Sequence, residues 1–250
     1  MTKIGIFFRQ TAIFTLLSHS WFLFIPSFFL KKMGYQRKAE ERACLLAKKY
    51  ASMMVKLGGG NVLVEGLDNI PNDRNICIVS NHEALADILT LLAIIPFPIG
   101  FIAKKELLKI PFLNIWMKQI GCFFIDRKSL RSGMDAILGG VRSIKNEHPM
   151  VIFPEGTRSR GKGIKDFKQG SLKLATKAEA VILPISLVGT YKFFEELGHV
   201  QGCKIKVRIH QPIETKSLDS EQLKTLASEV GAIIKKGYEA LLPIEESIAD

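Results

Sequence analysis

Two short stretches of the chain carry side chains suited to chemistry. Asn81-His82-Glu83-Ala84-Leu85-Ala86-Asp87 offers an imidazole together with a carboxylate that can orient it. Phe153-Pro154-Glu155-Gly156-Thr157-Arg158-Ser159 sets a carboxylate, a glycine, a hydroxyl and a guanidinium in one tight turn, a combination suited to holding a phosphate. A base beside a phosphate holder points to chemistry on a phosphorylated alcohol. With five histidines in 250 residues, a His-x4-Asp pattern arises by chance in about a quarter of such chains. It gains its weight from the second stretch.

His82 and Asp87 are five residues apart. On one continuous helix they would diverge by about 140°, so they face each other only if His82 lies in a strand-to-helix turn and Asp87 one turn inside the helix. A strand over Ile76–Val79 and a helix from Ala84 supply that arrangement. Asp87, accepting from the imidazole, would fix its tautomer and leave the other nitrogen to act as a base. The chain has no Gly-x-Ser-x-Gly, and no cysteine adjoins a motif histidine. Direct attack by a substrate hydroxyl is therefore expected, without a covalent intermediate. In the second stretch Gly156 permits close backbone approach, the turn amides are expected to form an anion nest, and Arg158 can grip a phosphate bidentately. Glu155 cannot itself favour an anion and is expected to orient Arg158 or the substrate hydroxyls.

Two further blocks stand in order around these, Gly121-Cys122-Phe123-Phe124-Ile125-Asp126-Arg127 and Val181-Ile182-Leu183-Pro184-Ile185. With Asn81, His82 and Asp87 as a first motif and Phe153–Ser159 as a third, the chain resembles the glycerolipid acyltransferase family, in particular the 1-acylglycerol-3-phosphate acyltransferases, over roughly residues 60–215. The resemblance implies transfer of an acyl group from acyl-CoA or acyl carrier protein to the sn-2 hydroxyl of 1-acylglycerol-3-phosphate. His82 would be the base and Asp87 its partner. Glu155, Gly156, Thr157, Arg158 and Arg127 would bind the glycerol phosphate, and Asn81, Gly121, Pro154 and Pro184 would support the motifs. Lys104 and its neighbour Lys105, at the end of a strand, could add a phosphate contact. The fourth block could equally line an acyl groove or belong to the core. Another lyso-lipid or glycerol phosphate remains open as acceptor, and a non-enzymatic membrane adaptor is the more distant alternative.

The formal charge of +11 calls for a polyanionic partner. Residues 31–56 carry eight basic side chains against Glu40 and Glu41, directly after a stretch from Gln10 to Leu30 that has no charge at all. That stretch has about the length of a bilayer span, but Pro26 would break or kink a helix there. Either a single span or a broken helix dipping into one leaflet fits, with residues 35–57 as a basic amphipathic helix lying on an anionic surface. The basic flank predicts a cytoplasmic membrane face, which would be the inner membrane in a bacterium. Nucleic acid is disfavoured, because no aromatic-basic recognition motif accompanies the charge. Four dispersed cysteines without Cys-x-x-Cys, and no His-Glu-x-x-His, predict neither a disulfide framework nor a metal or other cofactor.

Positioning these groups is the task of the rest of the chain. Gly58-Gly59-Gly60 divides an anchoring segment, 1–57, from a catalytic domain, 58–250. Beyond it, short apolar runs at 61–66, 76–79, 99–103, 122–125, 150–153 and 181–186 read as strands, and 204–210 alternates as a half-exposed strand. Helical patterns at 84–92, in a region that Ile110-Pro111 interrupts and that continues to Lys118, and at 132–147, 170–178 and 217–242 separate them. The last is expected to turn Leu223, Leu226, Val230, Ile233, Ile234 and Tyr238 inward. Strands alternating with helices predict an α/β fold: a mixed, largely buried sheet flanked by helices and preceded by a membrane-associated helical segment.

Overall fold

The structure is a computed structural model that describes residues 3–126, 128–168 and 170–242. Three helices open the chain, α1 (Lys3–Leu23), α2 (Ile25–Lys32) and α3 (Gln36–Leu57). Pro26 does what its ring dictates. The helix stops at Phe24 and restarts with Pro26 in the first turn of α2, where a missing N–H costs nothing. Then follow β1 (Gly60–Glu65), β2 (Ile76–Ser80), α4 (Ala86–Ile94), β3 (Gly100–Lys104), α5 (Leu113–Gln119), β4 (Phe123–Ile125), α6 (Leu130–Lys145), β5 (Met150–Ile152), α7 (Lys173–Ala178), β6 (Val181–Val188), β7 (Cys203–Ile209) and α8 (Ser220–Leu241).

The strands form one seven-stranded sheet in the order β1-β7-β6-β2-β5-β3-β4. β6, β2, β5, β3 and β4 run parallel, whereas β7 is antiparallel to β6 and carries β1 parallel to itself. The sheet is thus mixed and flanked by helices, as expected. Central β2 is buried along its whole length, the signature of a strand covered on both faces. Alternation sorts its side chains. Ile76 and Ile78 join α3, α4 and α5 on one face, and Cys77 and Val79 join α6, α7 and α8 on the other.

Two expectations about helix faces need correction. In α8, Leu226, Val230, Ile234 and Tyr238 are buried, but Leu223 and Ile233 are exposed; the inward stripe is narrower than the apolar pattern. The helix over 35–57 is no detached surface element. Ala39, Ala43, Ala47, Ala51 and Met54 of α3 are buried, and the run of alanines lets α3 lie closely on α4 within the main core. Met53 and Leu57, by contrast, face outward. The boundary at 57/58 is therefore no break in packing. Even the second half of α1 is tied down: Trp116 Nε1 donates to Ser20 Oγ at 2.6 Å, and His19 Nδ1 meets the Tyr50 hydroxyl at 2.8 Å. Exposed apolar rings concentrate on α1 and α2, at Phe7, Phe8, Phe14, Phe22, Phe28 and Phe29. The stretch Gln10–Lys32 is long and apolar enough to cross a membrane.

Candidate active site

Parallel strands leave their carboxyl ends along one edge of the sheet, where loops converge and ligands characteristically bind. The stretches with the imidazole and the guanidinium, and Lys104, lie at this edge. Asn81–Asp87 follows β2, Phe153–Ser159 follows β5, and Lys104 ends β3. β5 and β6 are the two neighbours of β2 in the sheet, so the loops after these three strands meet.

At the end of β2 the Asn81 side chain imitates a peptide. Its Nδ2 donates to the Leu187 carbonyl and its Oδ1 accepts from the Leu187 amide, both at 2.8 Å. This extends the pairing with β6 one step past the strand and swings the chain into the turn that bears His82. Asp87 sits in the first turn of α4, fully buried. Its Oδ2 accepts from His82 Nδ1 at 2.6 Å and from the Ala84 amide at 2.9 Å. The imidazole is stacked on the Phe153 ring, with centroids 4.1 Å apart and planes 16° from parallel. Its side chain is 17% exposed. With Nδ1 committed to Asp87, Nε2 is the nitrogen left to act on a ligand.

The first and third motifs are bound together through their backbones. The Ser159 amide donates to the His82 carbonyl at 2.8 Å, and the Arg160 amide to the Glu83 carbonyl at 3.1 Å. Glu155 completes the junction. Its Oε1 accepts from the His82 amide at 2.7 Å and its Oε2 from the Lys165 amide at 3.1 Å. Burial pushes its carboxyl above the ordinary range, and the amides of His82 and Lys165 pull against that. Glu155 is therefore a buried brace of the histidine turn, and the expectation that it lies against phosphate or orients Arg158 is corrected. The nest also needs revision. Gly156 takes the left-handed conformation (φ 68°) that its type allows, but its amide donates to the Phe153 carbonyl. Those of Ser159 and Arg160 are committed to the first motif. Thr157 and Arg158 are the exposed members of the turn.

Arg158 Nη1 donates to Glu195 Oε1 at 2.8 Å, and the same oxygen accepts from the Leu85 amide at 2.8 Å. The guanidinium is thereby moored to the start of α4, with further N–H groups to offer. Lys104 is exposed at the end of β3, and Lys105 lies 3.6 Å from Asp126. Arg127 lies outside the described residues. Gly121 turns the chain before β4 at φ 75°, where a Cβ would meet His148 Nε2 at 2.8 Å. Pro154 is buried beneath the turn. Pro184 stands in β6 opposite Val79, in a strand buried throughout. Its position is a local irregularity of the ladder: Ile182 to Ile185 of β6 oppose the longer run from Ile213 to Ile209. A residue without an N–H is tolerated at such a bulge. The fourth block thus belongs to the sheet's core.

Sequence reasoning misses Glu83, Thr190 and Glu195. Glu83 is fully buried, and burial first, then the charge of Asp87, pushes its carboxyl up to about 7. Thr190, in the 3-10 turn Thr190–Phe193 after β6, bonds to both Glu83 and Asp87. The one available signal was a charged residue set among apolar neighbours inside the first motif. Thr190 and Glu195 stand outside every motif block.

A fold of this kind, with a His–Asp pair and an arginine-bearing turn at the carboxyl edge of its parallel strands, defines an α/β transferase. The family model described as Acyltransferase matches residues 61–188, and the chain belongs to that family. It is 33% identical over 201 residues to a 1-acyl-sn-glycerol-3-phosphate acyltransferase of Borreliella burgdorferi, covering 80% of this chain and 78% of the relative. It is 30% identical over 211 residues to the protein of that name from Saccharomyces cerevisiae, covering 82% and 68%. The crystal structure of the 1-acyl-sn-glycerophosphate (LPA) acyltransferase PlsC from Thermotoga maritima superposes with a TM-score of 0.79 at 30% identity, covering 95% of this chain and 93% of that one.

Proposed function

We propose that the protein transfers a fatty acyl group from an acyl thioester, acyl-CoA or acyl carrier protein, to the sn-2 hydroxyl of 1-acylglycerol-3-phosphate. The product is phosphatidic acid for phospholipid synthesis, and the site of action is a cytoplasmic membrane face. The observation that carries this reading is the His82 imidazole, held by buried Asp87 through Nδ1 and tied through its own backbone to the turn that carries Arg158. The relatives, 1-acyl-sn-glycerol-3-phosphate acyltransferases by name, supply the substrate class.

His82 Nε2 takes the proton of the acceptor hydroxyl as its oxygen attacks the thioester carbonyl. The tetrahedral intermediate collapses with cleavage of the C–S bond, and the departing thiolate receives the proton back from the imidazolium. Asp87 stabilises that imidazolium and keeps the ring in the useful tautomer. Thr157 and Arg158 grip the acceptor phosphate, with Lys104 as a further cation at the end of β3. Glu155 braces the histidine turn.

The test is transfer from a labelled acyl-CoA, and from acyl carrier protein, to 1-acylglycerol-3-phosphate by purified protein and by His82→Ala. Phosphatidic acid from the wild type, with a rate lowered about 10³-fold or more in the variant, is the expected result. Equal product from both would overturn the mechanism. Product only with glycerol phosphate or another lyso-lipid would replace the acceptor.

A further inference from the structure

Glu83 and Asp87 compete for one hydroxyl. Thr190 Oγ1 lies 3.0 Å from Glu83 Oε2 and in hydrogen-bond contact with Asp87 Oδ1, while the Thr190 amide donates to Glu83 Oε2 at 2.9 Å. A threonine hydroxyl has a single proton to donate. Were both carboxyls ionised, that proton could serve one of them, and the hydroxyl would turn a lone pair toward the other. Glu83, Asp87 and Thr190 are all completely buried, where such a mismatch is costly.

The distribution of donors decides which carboxyl is neutral. Leaving the contested Thr190 hydroxyl aside, Asp87 receives His82 Nδ1–H and the Ala84 amide. Glu83 has the Thr190 amide, and its Oε1 has no partner in hydrogen-bond geometry among the described residues. The Tyr238 hydroxyl of α8 and the Tyr191 amide also donate toward its carboxyl and favour its charge, but burial and then the charge of Asp87 outweigh them. The other titratable groups facing it are Asp87 of α4 and the Cys203 thiol of β7, with His82 adjoining in sequence. Asp87 is itself negative, and neither Tyr238 nor Cys203 supplies a cation.

We propose that Glu83 is a positioning residue that carries a proton in the working enzyme and so reserves the Thr190 hydroxyl for Asp87. The inference rests on the reading of His82 as the base. A neutral Glu83 leaves Asp87 with three donors and a fixed orientation toward His82. An ionised Glu83 draws on the Thr190 hydroxyl, loosens the carboxylate that orients the base and sets two negative charges side by side. Burial and the neighbouring Asp87 hold this carboxyl at about 7, so the change falls within the working range. Activity should therefore decline above neutrality through Glu83, separately from the acid limb on which His82 takes up a proton.

The test measures kcat and both KM values from about pH 5.5 to about 9 for wild type, Glu83→Gln, Glu83→Ala, Thr190→Val and Thr190→Ser. Glutamine presents a carboxamide of the same shape that cannot ionise. It should recover most of what alanine loses and lack the wild-type decline above about pH 7. Thr190→Val should lower kcat about tenfold with little change in acceptor KM, and serine should restore it. Wild-type and Glu83→Gln profiles of the same shape, or an undiminished kcat in Thr190→Val, would overturn the proposal. Unfolding temperatures provide an arm that does not need turnover. An acid whose folded-state pKa is raised stabilises the fold while protonated and loses that contribution as pH rises through the folded value. Wild type should therefore lose stability relative to Glu83→Gln between about pH 5 and about 8; parallel curves would refute the protonated Glu83. Absence of acyl transfer in the wild type, with diverging stability curves, would sink the proposed function and leave the proton on Glu83 standing.

Discussion

At the scale of single residues the site separates groups open to solvent from buried groups that hold them. His82 and Arg158 are partly exposed, while Asp87, Glu83 and Glu155 are buried beneath them. Arg158 is the member whose function can be tested most simply. Arg158→Ala should raise the KM for the phosphorylated acceptor by about tenfold or more and leave the acyl-donor KM near its original value. Equal shifts for both substrates would remove it from the acceptor site. Arg158→Lys should recover little, because an ammonium cannot reproduce the planar fork that reaches Glu195 with one nitrogen and a phosphate with the others. That Arg158 is exposed in the turn could be read from its type and its neighbours. Its mooring to Glu195 could not, since 37 residues separate the two and no local rule connects them.

Elements explain why the motifs contain more residues than chemistry requires. Asn81 is buried and closes the end of β2 onto β6. Asn81→Ala would leave the Leu187 amide and carbonyl unpaired in a buried setting, at a cost of about 2–4 kcal/mol. A denaturation midpoint unchanged from wild type would refute that assignment. The elements were themselves legible, because short apolar runs bounded by glycine, asparagine and proline leave little choice but buried strands. Strand neighbours were another matter. The order β6-β2-β5 brings together segments about a hundred residues apart, and it is this order that puts Thr190 against Asp87. α3 was misplaced for a related reason: a basic face with an alanine-rich stripe suits a membrane surface and a close helix–helix contact equally well.

For the molecule as a whole, the burial of α3 changes how the membrane reading should be tested. Removing residues 1–57 would strip a core helix and expose α4, so loss of membrane binding in that truncation would be confounded with unfolding. Point changes on the exposed side of α2 avoid this. Phe28→Asp combined with Phe29→Asp replaces two exposed rings of α2 with carboxylates. Sedimentation with anionic vesicles should fall by about tenfold or more while the unfolding temperature stays close to wild type. Undiminished vesicle binding would move the attachment surface elsewhere, with the basic face of α3 as the next place to look.

The two backbone bonds from Ser159 and Arg160 to His82 and Glu83 carry a consequence for substrate choice. They make a ruler of the site. On the proposed reading, base and phosphate grip cannot drift apart, so the enzyme gauges how many bonds separate an acceptor's free hydroxyl from its phosphate. An isomer with its acyl chain on the middle carbon presents its hydroxyl one bond too far along. It can satisfy Arg158 or His82, and not both at once.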